Sequence, residues 1–531
     1  MSLTESPPRH ESPERPDFAR KTALLSFATL SSRLLGLVRE QLFGATLGAG
    51  VQSDAFLIAF RIPNLLRDLF AEGALSAAFI PAYARADTES PERGFSLARR
   101  LFTLLALVLS FVCALGILIA PWIVSALAPG FGAMEGKSGL TTGLTRVMMP
   151  ILPFISFAAV SMGMLNSRDK FTLSALAPAL FNVVNILVAV GLYSFGLPRD
   201  VVAYGWAGGA LIGSAAQFLV QWPGLRREGF SFRPDFNFRD PFIRNILVTM
   251  GQATIALAAV QINVVITSRY VSTEPGAVSW LNFAFRLLYL PMGLFGVAVG
   301  SVAGARLSRR IAEGAPNDAH AQIAQALRLL LFLTLPSALG LICAGESIVR
   351  LIYEHGAFKS SDTVAVATAL GYMATGLVAY ASTKVFVPYF YALGRPRVPL
   401  VASLLAVSAN LLTLRLLFGS IGFVAGGLGM ALGNLSNGGF LLYMYRGPEP
   451  LLKTIDGRFL GSLVAATGGM SVVVLLLLSA LHPIGHGLGA RLVGTLLPVT
   501  LGAATYLGLT FMLEVPEATR ILGSVRQRFA R

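Results

Sequence analysis

Charge is scarce in this chain. Asp, Glu, Lys and Arg make up 13% of its 531 residues, about half the share of a soluble domain, which excludes an ordinary water-soluble globule. Cysteine is nearly absent: Cys113 and Cys343 both sit in apolar runs, so neither a disulfide framework nor a cysteine metal knuckle is indicated. His482 and His486 are four apart with Pro and Gly between them and no third ligand near, which reads as loop and leaves no metal site. No Walker A pattern occurs, so the chain carries no ATP motor of its own. No Ser/His/Asp or HExxH arrangement appears either, and an enzyme is not expected. Residues 1–20 (MSLTESPPRHESPERPDFAR) lack the apolar core of a cleavable signal. Their Pro and charge predict a disordered tail, and the first span is expected to act as its own insertion signal.

What is abundant is apolar. Hydrophobic residues are 54% of the chain, and runs of roughly 20 residues, each long enough to cross a bilayer, recur along almost its whole length. The fold class expected is an all-α polytopic membrane protein with about fourteen spans. Breakers place six near Thr22–Leu47, Ser53–Ala84, Leu101–Ala126, Leu144–Leu165, Leu173–Leu197 and Val201–Trp222. Six more lie near Ile246–Val271, Val278–Ala305, Leu327–Ile352, Val364–Leu393, Val398–Phe418 and Ile421–Tyr445, and a last pair near Phe459–Leu481 and Leu492–Leu513. Alternate loops hold 19 and 5 basic residues, and both termini fall on the rich side. The positive-inside rule then puts both termini in the cytoplasm. The net charge of +15 reflects these loops and calls for no nucleic acid.

A repeat runs at a spacing of about 225 residues. Ala59-Phe60-Arg61 recurs as Ala284-Phe285-Arg286, Leu69-Phe70 as Leu294-Phe295, Ser76 as Ser301, and Asn185 as Asn410. At a slightly shorter offset, Ala207-Gly208-Gly209 recurs as Ala425-Gly426-Gly427. Two six-helix lobes of the same orientation are expected, residues 21–224 and 225–447, followed by an added helix pair over 448–515 and a cytoplasmic tail over 516–531. Parallel repeats are a transporter architecture with the substrate site between the halves. Glycines four apart at Gly205/Gly209/Gly213, Gly296/Gly300/Gly304, Gly422/Gly426 and Gly429/Gly433 predict close helix packing.

Arginines set into these spans are the functional signal. Arg33 and Arg39 lie in span 1, Arg67 near the middle of span 2 and Arg286 in the first third of span 8. One such charge at the bilayer centre costs about 2.5–3.5 kcal/mol on insertion scales, so these side chains must face a polar cavity, and a cationic cavity suits an anionic cargo. Arg33 and Arg39 lie some 120° apart around a helix, a spread that one broad face can hold. For Arg61, Arg146, Arg328, Arg350 and Arg415, nearer span ends, snorkelling to the interface is the plainer reading. Glu40, Asp54, Asp68 and Glu72 are candidate acidic partners that neutralise the arginines or exchange with a substrate phosphate, with a static salt bridge equally open for Asp68. Lys384 in span 10 is open between cavity and interface. Gly36, Pro63 and Pro291 interrupt the spans and are candidate hinges, ordinary transmembrane Gly and Pro usage being the plainer alternative.

SRLLGLVRE, a Gly-Ala-Gly turn and SDAFLIAFRIPNLLRDLFAEGALSAAFIP resemble the signature of the MurJ (MviN) family, the lipid II flippases of peptidoglycan synthesis. That family belongs to the multidrug/oligosaccharidyl-lipid/polysaccharide exporter superfamily. SWLNFAFRLLYLPMGLFGVAVG and KVFVPYFYALGRPRVP resemble its spans 8 and 10. The resemblance covers the chain after residue 20. It implies fourteen helices, a V-shaped central cavity, and a groove for the undecaprenyl tail at the last two helices. It implies substrate-binding roles for Arg33, Arg39, Arg67 and Arg286, and matches Asp54 and Lys384 to the family's span-2 acid and span-10 lysine. Phe285 stands where many relatives have Asp, and Glu40 where Asp is common. No Asp or Glu lies well inside spans 7, 11 or 12, where some members bind sodium.

The function expected is a lipid II flippase of the bacterial inner membrane working by alternating access, with the diphosphate on the arginines. No cofactor is expected. The membrane potential is the expected drive, since it biases an anion outward by about 2.3 kcal/mol per charge per 100 mV. Expected partners are lipid II, membrane lipids, and cell-wall synthesis and division proteins. The rivals are a flippase for another polyprenyl-linked glycan, a drug/cation antiporter of the same superfamily, and a non-transporting scaffold.

Overall fold

The structure is a computed structural model and describes residues 15–67, 74–314, 316–447, 451, 455–481 and 487–520. Those residues are helical almost throughout, with no strand among them. The first repeat comprises α1 (Arg15–Leu47), α2 (Val51–Arg67), α3 (Ala74–Glu89), α4 (Pro91–Leu118), α5 (Ala120–Leu127), α6 (Lys137–Met148), α7 (Ile151–Ser167), α8 (Phe171–Ser194) and α9 (Arg199–Leu219). A short α10 (Trp222–Arg227) precedes α11 (Pro241–Val271), α12 (Ala277–Pro291), α13 (Ala298–Ala312), α14 (Pro316–Tyr353), α15 (Ser360–Ala374), α16 (Leu377–Ala392), α17 (Arg397–Ile421) and α18 (Val424–Met444). The last pair is α19 (Gly457–Leu481) and α20 (Leu488–Met512).

The described residues of each of the fourteen expected spans are almost wholly helical, residues 68–73 of the second lying outside the described residues. Among the described residues, eight helices are long and apolar enough to cross a bilayer, and α15 with α16 makes a ninth candidate bent by 47°. The chain is thus an all-α polytopic membrane protein. The bend was not expected. It falls at Gly376, where a Cβ would lie 2.7 Å from Ala431 Cα of α18, so only glycine lets the two helices approach there. Of the tail expected over 1–20, residues 1–14 lie outside the described residues, and α1 begins at Arg15. Pro16 at the second helical position fits that start, because its missing N–H would have no helical partner there.

The chain folds into two compact units whose boundaries differ from the repeat. The first gathers the described residues up to Phe43 with those of Phe60–Leu118 and Leu144–Thr254, and the second gathers Gly44–Ala59, Ile119–Gly143 and the described residues from Ile255 onward. Parts of spans 1 to 3, and the connection that leads to span 4, therefore pack with the second repeat. The helix pair expected as a separate 448–515 addition also joins the second unit. Leu463, Ala466 and Met470 of α19 and Tyr506 of α20 pack on Phe332 of α14, and the Tyr506 hydroxyl donates to the Phe332 carbonyl at 2.6 Å.

Most of the glycine spacings pack helices as expected, whereas Gly422 caps α17 with φ +57° against the Glu274 side chain. In the first unit Asn185 of α8 faces Gly209 and Gly213 of α9. In the second unit Asn410 of α17 faces Gly429 of α18, so the repeated asparagine does the same packing work twice. In the first unit the connection to α11 lies along α4. Arg99 Nε donates to the Ser231 carbonyl at 3.0 Å, the Asp235 amide donates to Thr103 Oγ1 at 3.0 Å, and Arg100 binds Asp235 and Asp240.

Candidate functional site

Three of the expected arginines lie in the first unit. Arg33 is exposed on α1 between Leu30 and Leu34, each 57% exposed. Arg39 is partly buried, with Nη2 2.7 Å from Glu40 Oε1 and its guanidinium 5.6 Å from the centre of the Phe181 ring. Neutralisation by Glu40 is therefore realised. The expected hinge Gly36 sits where α1 crosses α8: Asn182 Nδ2 donates to the Ser32 carbonyl at 3.1 Å, and a Cβ on Gly36 would lie 3.8 Å from that nitrogen. Pro63 is buried inside α2, where its ring nitrogen cannot bond the Ala59 carbonyl. Arg67 ends α2 half-buried, while Asp68 and Glu72 lie outside the described residues.

Arg286, Lys384 and Asp54 lie in the second unit. Arg286 is exposed on α12, one turn from the exposed Tyr289. Pro291 is followed by a π-helical turn over Met292–Val297. Such turns concentrate at functional bends, which suits the hinge expected at Pro291. Lys384 is half-buried on α16, its ammonium 5.2 Å from the Tyr380 ring centre. The row Gly296, Gly300 and Gly304 packs on Ala381, Lys384 and Pro388. A Cβ on Gly300 would stand 2.6 Å from Lys384 Cβ and 2.7 Å from its carbonyl oxygen. The small-residue row thus sets the depth of the lysine. Arg328, read as snorkelling, is instead fixed: Nε lies 2.7 Å from Glu517 Oε1 and the guanidinium 4.0 Å from the Phe459 ring centre.

Asp54 departs from its expected role. The side chain is fully buried, and both oxygens are saturated. Oδ2 accepts from Lys137 Nζ at 2.8 Å and the Gly276 amide at 2.7 Å, and Oδ1 accepts from the Ser279 amide at 2.8 Å and the Ser279 hydroxyl at 2.6 Å. Four donors on two oxygens leave no lone pair or surface for a substrate. In this conformation Asp54 is a clamp that joins the start of α2 to the start of α12. Lys137 is the residue that the sequence reading missed, since it counted only as a charge in a basic-poor loop.

A second contact holds the same neighbourhood. The Ala357 amide donates to the Ala45 carbonyl at 2.8 Å. Gly48 and Gly356 flank this bond, with φ of +69° and +58°. A Cβ on Gly48 would lie 2.6 Å from the Ala357 oxygen, and one on Gly356 would strike the Ala45 carbonyl. Each glycine therefore has both a left-handed backbone and a backbone neighbour that excludes a side chain.

A sequence model of the family described as "Lipid II flippase MurJ" matches residues 43–489. The chain is 36% identical over 412 residues to a probable lipid II flippase MurJ of Rhizobium meliloti (strain 1021), covering 76% of each chain. A lipid II flippase MurJ of Burkholderia cenocepacia is 36% identical over 379 residues, covering 70% of this chain and 73% of that one. A probable lipid II flippase MurJ of Rickettsia prowazekii is 30% identical over 504 residues, covering 93% of this chain and 98% of that one. In fold, the chain is similar to a structure titled "Lipid II flippase MurJ, inward closed conformation", with a TM-score of 0.75, 24% identity, and 92% and 98% coverage. An inward-facing multidrug resistance MATE transporter of the MOP superfamily follows at a TM-score of 0.60 and 16% identity, with 77% and 92% coverage. With the arginine-bearing spans and the MATE-like fold already in place, the family match over most of the length settles the matter: this chain belongs to the MurJ lipid II flippase family.

Proposed function

We propose that this multi-pass inner-membrane protein carries lipid II from the cytoplasmic to the periplasmic leaflet and performs no covalent chemistry. Lipid II pairs a diphosphate with a large polar headgroup and a polyprenyl tail, so the transporter must grip the phosphates while the tail stays in lipid. The observation that carries the site reading is the exposure of Arg33 and Arg286 on apolar helices of the two repeats. An exposed guanidinium on a spanning helix is tolerable only where water or an anion meets it. Arg39 and Arg67 add charge to the first repeat, and Lys384 adds it to the second. Charge-assisted bonds to phosphate are the strong class of hydrogen bond, and arginine presents them in pairs.

The basic loops favour cytoplasmic termini. In that orientation Asp54, Lys137, Gly276 and the Gly48/Gly356 contact lie at the periplasmic ends of their spans. Their function is to keep that end shut while the arginines load from the cytoplasm. Alternating access then requires these contacts to break and reform in every cycle. The outward bias comes from the membrane potential acting on the phosphates, about 2.3 kcal/mol per charge per 100 mV. Complementation of a lipid II flippase depletion strain tests the substrate, and growth without the native flippase is expected. Failure to complement with correct insertion and expression would refute it. In proteoliposomes, outward lipid II movement that is unimpaired after the potential is collapsed would refute the drive.

A further inference from the structure

Lys137 is a lysine with no exposed surface. Its ammonium binds Asp54 Oδ2 at 2.8 Å, lies 3.4 Å from Met134 Sδ, and sits 4.1 Å from the centre of the Phe131 ring, itself fully buried. Three protons meet three partners, so the cage is complete without water. The other donors to Asp54 differ in two ways: Gly276 and Ser279 are neutral and belong to the second repeat. Asp54 and Lys137 both belong to the first. Releasing the closure therefore removes only neutral donors, which water can replace.

We infer that Lys137 is a positioning residue for transport: it is the fixed counter-charge of Asp54, and the pair stays together as the closure opens and reforms. The inference rests on reading the Asp54 contacts as a closure. A buried carboxylate with its cation is a neutral dipole, whereas one left alone is costly to enclose. With Lys137 present, reclosing needs no proton, and the gate carries no net charge across the field. The other charged groups nearby are engaged or turned away. Glu274 accepts from the Phe423 amide, Asp362 from Trp280 Nε1 and the Lys359 amide, Arg269 donates to the Ala126 carbonyl, and Glu135 is exposed.

The test uses the full chain in a cysteine-free background with Ala55→Cys as reporter, a position wholly buried beside Asp54. Labelling by a membrane-impermeant thiol reagent reads opening, and lipid II flipping is followed in parallel. Lys137→Met is expected to raise labelling at least tenfold at pH 8 and to lose much of that excess at pH 6, since closing then requires a proton on Asp54. Asp54→Asn, which strands the lysine, is expected to label strongly at both pH values. The double variant Asp54→Asn/Lys137→Met is expected to label less than either single variant and to show no pH dependence, because charge is balanced and the amide oxygen still accepts from Ser279, while its NH2 faces the Gly276 amide and keeps labelling above the parent. Parent-like labelling of Lys137→Met overturns the inference, as does a double variant as open as Lys137→Met. If Asp54→Asn itself labels like the parent, the closure reading fails, a result distinct from failure of the lysine role alone.

Discussion

Gly356→Ala separates two costs that usually arrive together. The first is conformational: φ is +58°, and a Cβ in the left-handed region costs about 1–2 kcal/mol wherever the loop goes. The second is contact: the new methyl strikes the Ala45 carbonyl, which accepts the Ala357 amide at 2.8 Å. Relieving the clash disturbs that bond, worth about 1 kcal/mol net, and adds overpacking of roughly 1–3 kcal/mol. Only the second cost is relieved when the α1 end and the 353–359 loop part. The contact share, roughly 2–4 kcal/mol, should move the closed-to-open ratio by about 30- to 1,000-fold toward open. Gly394→Ala is the control, because φ is +66° and nothing lies within 4 Å of its Cβ position. Both variants should lose similar thermal stability from the backbone term, but only Gly356→Ala should raise thiol labelling of the Ala55→Cys reporter. Equal labelling of the two variants would refute the claim that this contact is part of the closure.

Replacing Arg33 or Arg286 with Ala should cut flipping in proteoliposomes by about 10- to 100-fold, the worth of one charge-assisted phosphate bond of about 1.5–3 kcal/mol, and full flipping by either variant would remove it from the site. Arg168 binds Asp87 at 2.6 Å and lies 4.3 Å from the centre of the Phe95 ring, so Arg168→Ala should cost about 3 kcal/mol in the unfolding midpoint of the purified protein. Asp235 lies outside the spans; burial raises its carboxyl, but the Asn237 amide and Arg100 outweigh this and hold it below the ordinary range. A depressed carboxyl stabilises above its unfolded pKa, about 4, and that contribution is lost as pH falls through the folded value. Proteolysis of the 228–240 connection should therefore accelerate only in acid, and Arg100→Gln should shift the onset to higher pH. Gly300→Ala should push α13 off Lys384, lowering thermal stability and flipping together.

Apolar run lengths and breakers were legible because bilayer thickness dictates helix length, and the described residues of all fourteen expected segments are almost wholly helical. The glycine rows were legible for a similar reason, since helices that approach closely need small residues wherever they meet. Arg39 beside Glu40 could be read from adjacency alone. The fate of Asp54 could not. Its donors come from residues 137, 276 and 279, and no local pattern announces a contact across more than two hundred residues. Lys137 was invisible for a related reason. A lone lysine in a loop looks like a topology signal, and only the Phe131, Met134 and Asp54 cage shows that it is enclosed. Arg328 misled in the same way, because the Glu517 that fixes it lies 189 residues away. The bend between α15 and α16 was missed because a single Gly376 in an apolar run reads equally well as packing.

The mismatch between repeat and compact unit explains how a closure can be firm and still open. Residues 44–59 and 119–143 are covalently first-repeat and pack with the second. Several of the contacts that tie them there are made by backbone rather than large apolar side chains. The Gly130 amide meets Ser272 Oγ at 3.2 Å, and a Cβ on that glycine would stand 2.5 Å from Thr273 backbone atoms. The Ala126 carbonyl takes Arg269, and the Ala45 carbonyl takes the Ala357 amide. Backbone bonds are worth about 1 kcal/mol each because water competes for both partners. Several together make a definite closed state, and each can be handed to water one at a time. Apolar contact is present as well, since Phe283 and Phe358 lie against Gly44, and any such surface exposed on opening resists it at about 25 cal/mol per Å². On the proposed reading, glycine, amide and one self-neutralised ion pair supply the part of this closure that water can replace in each cycle.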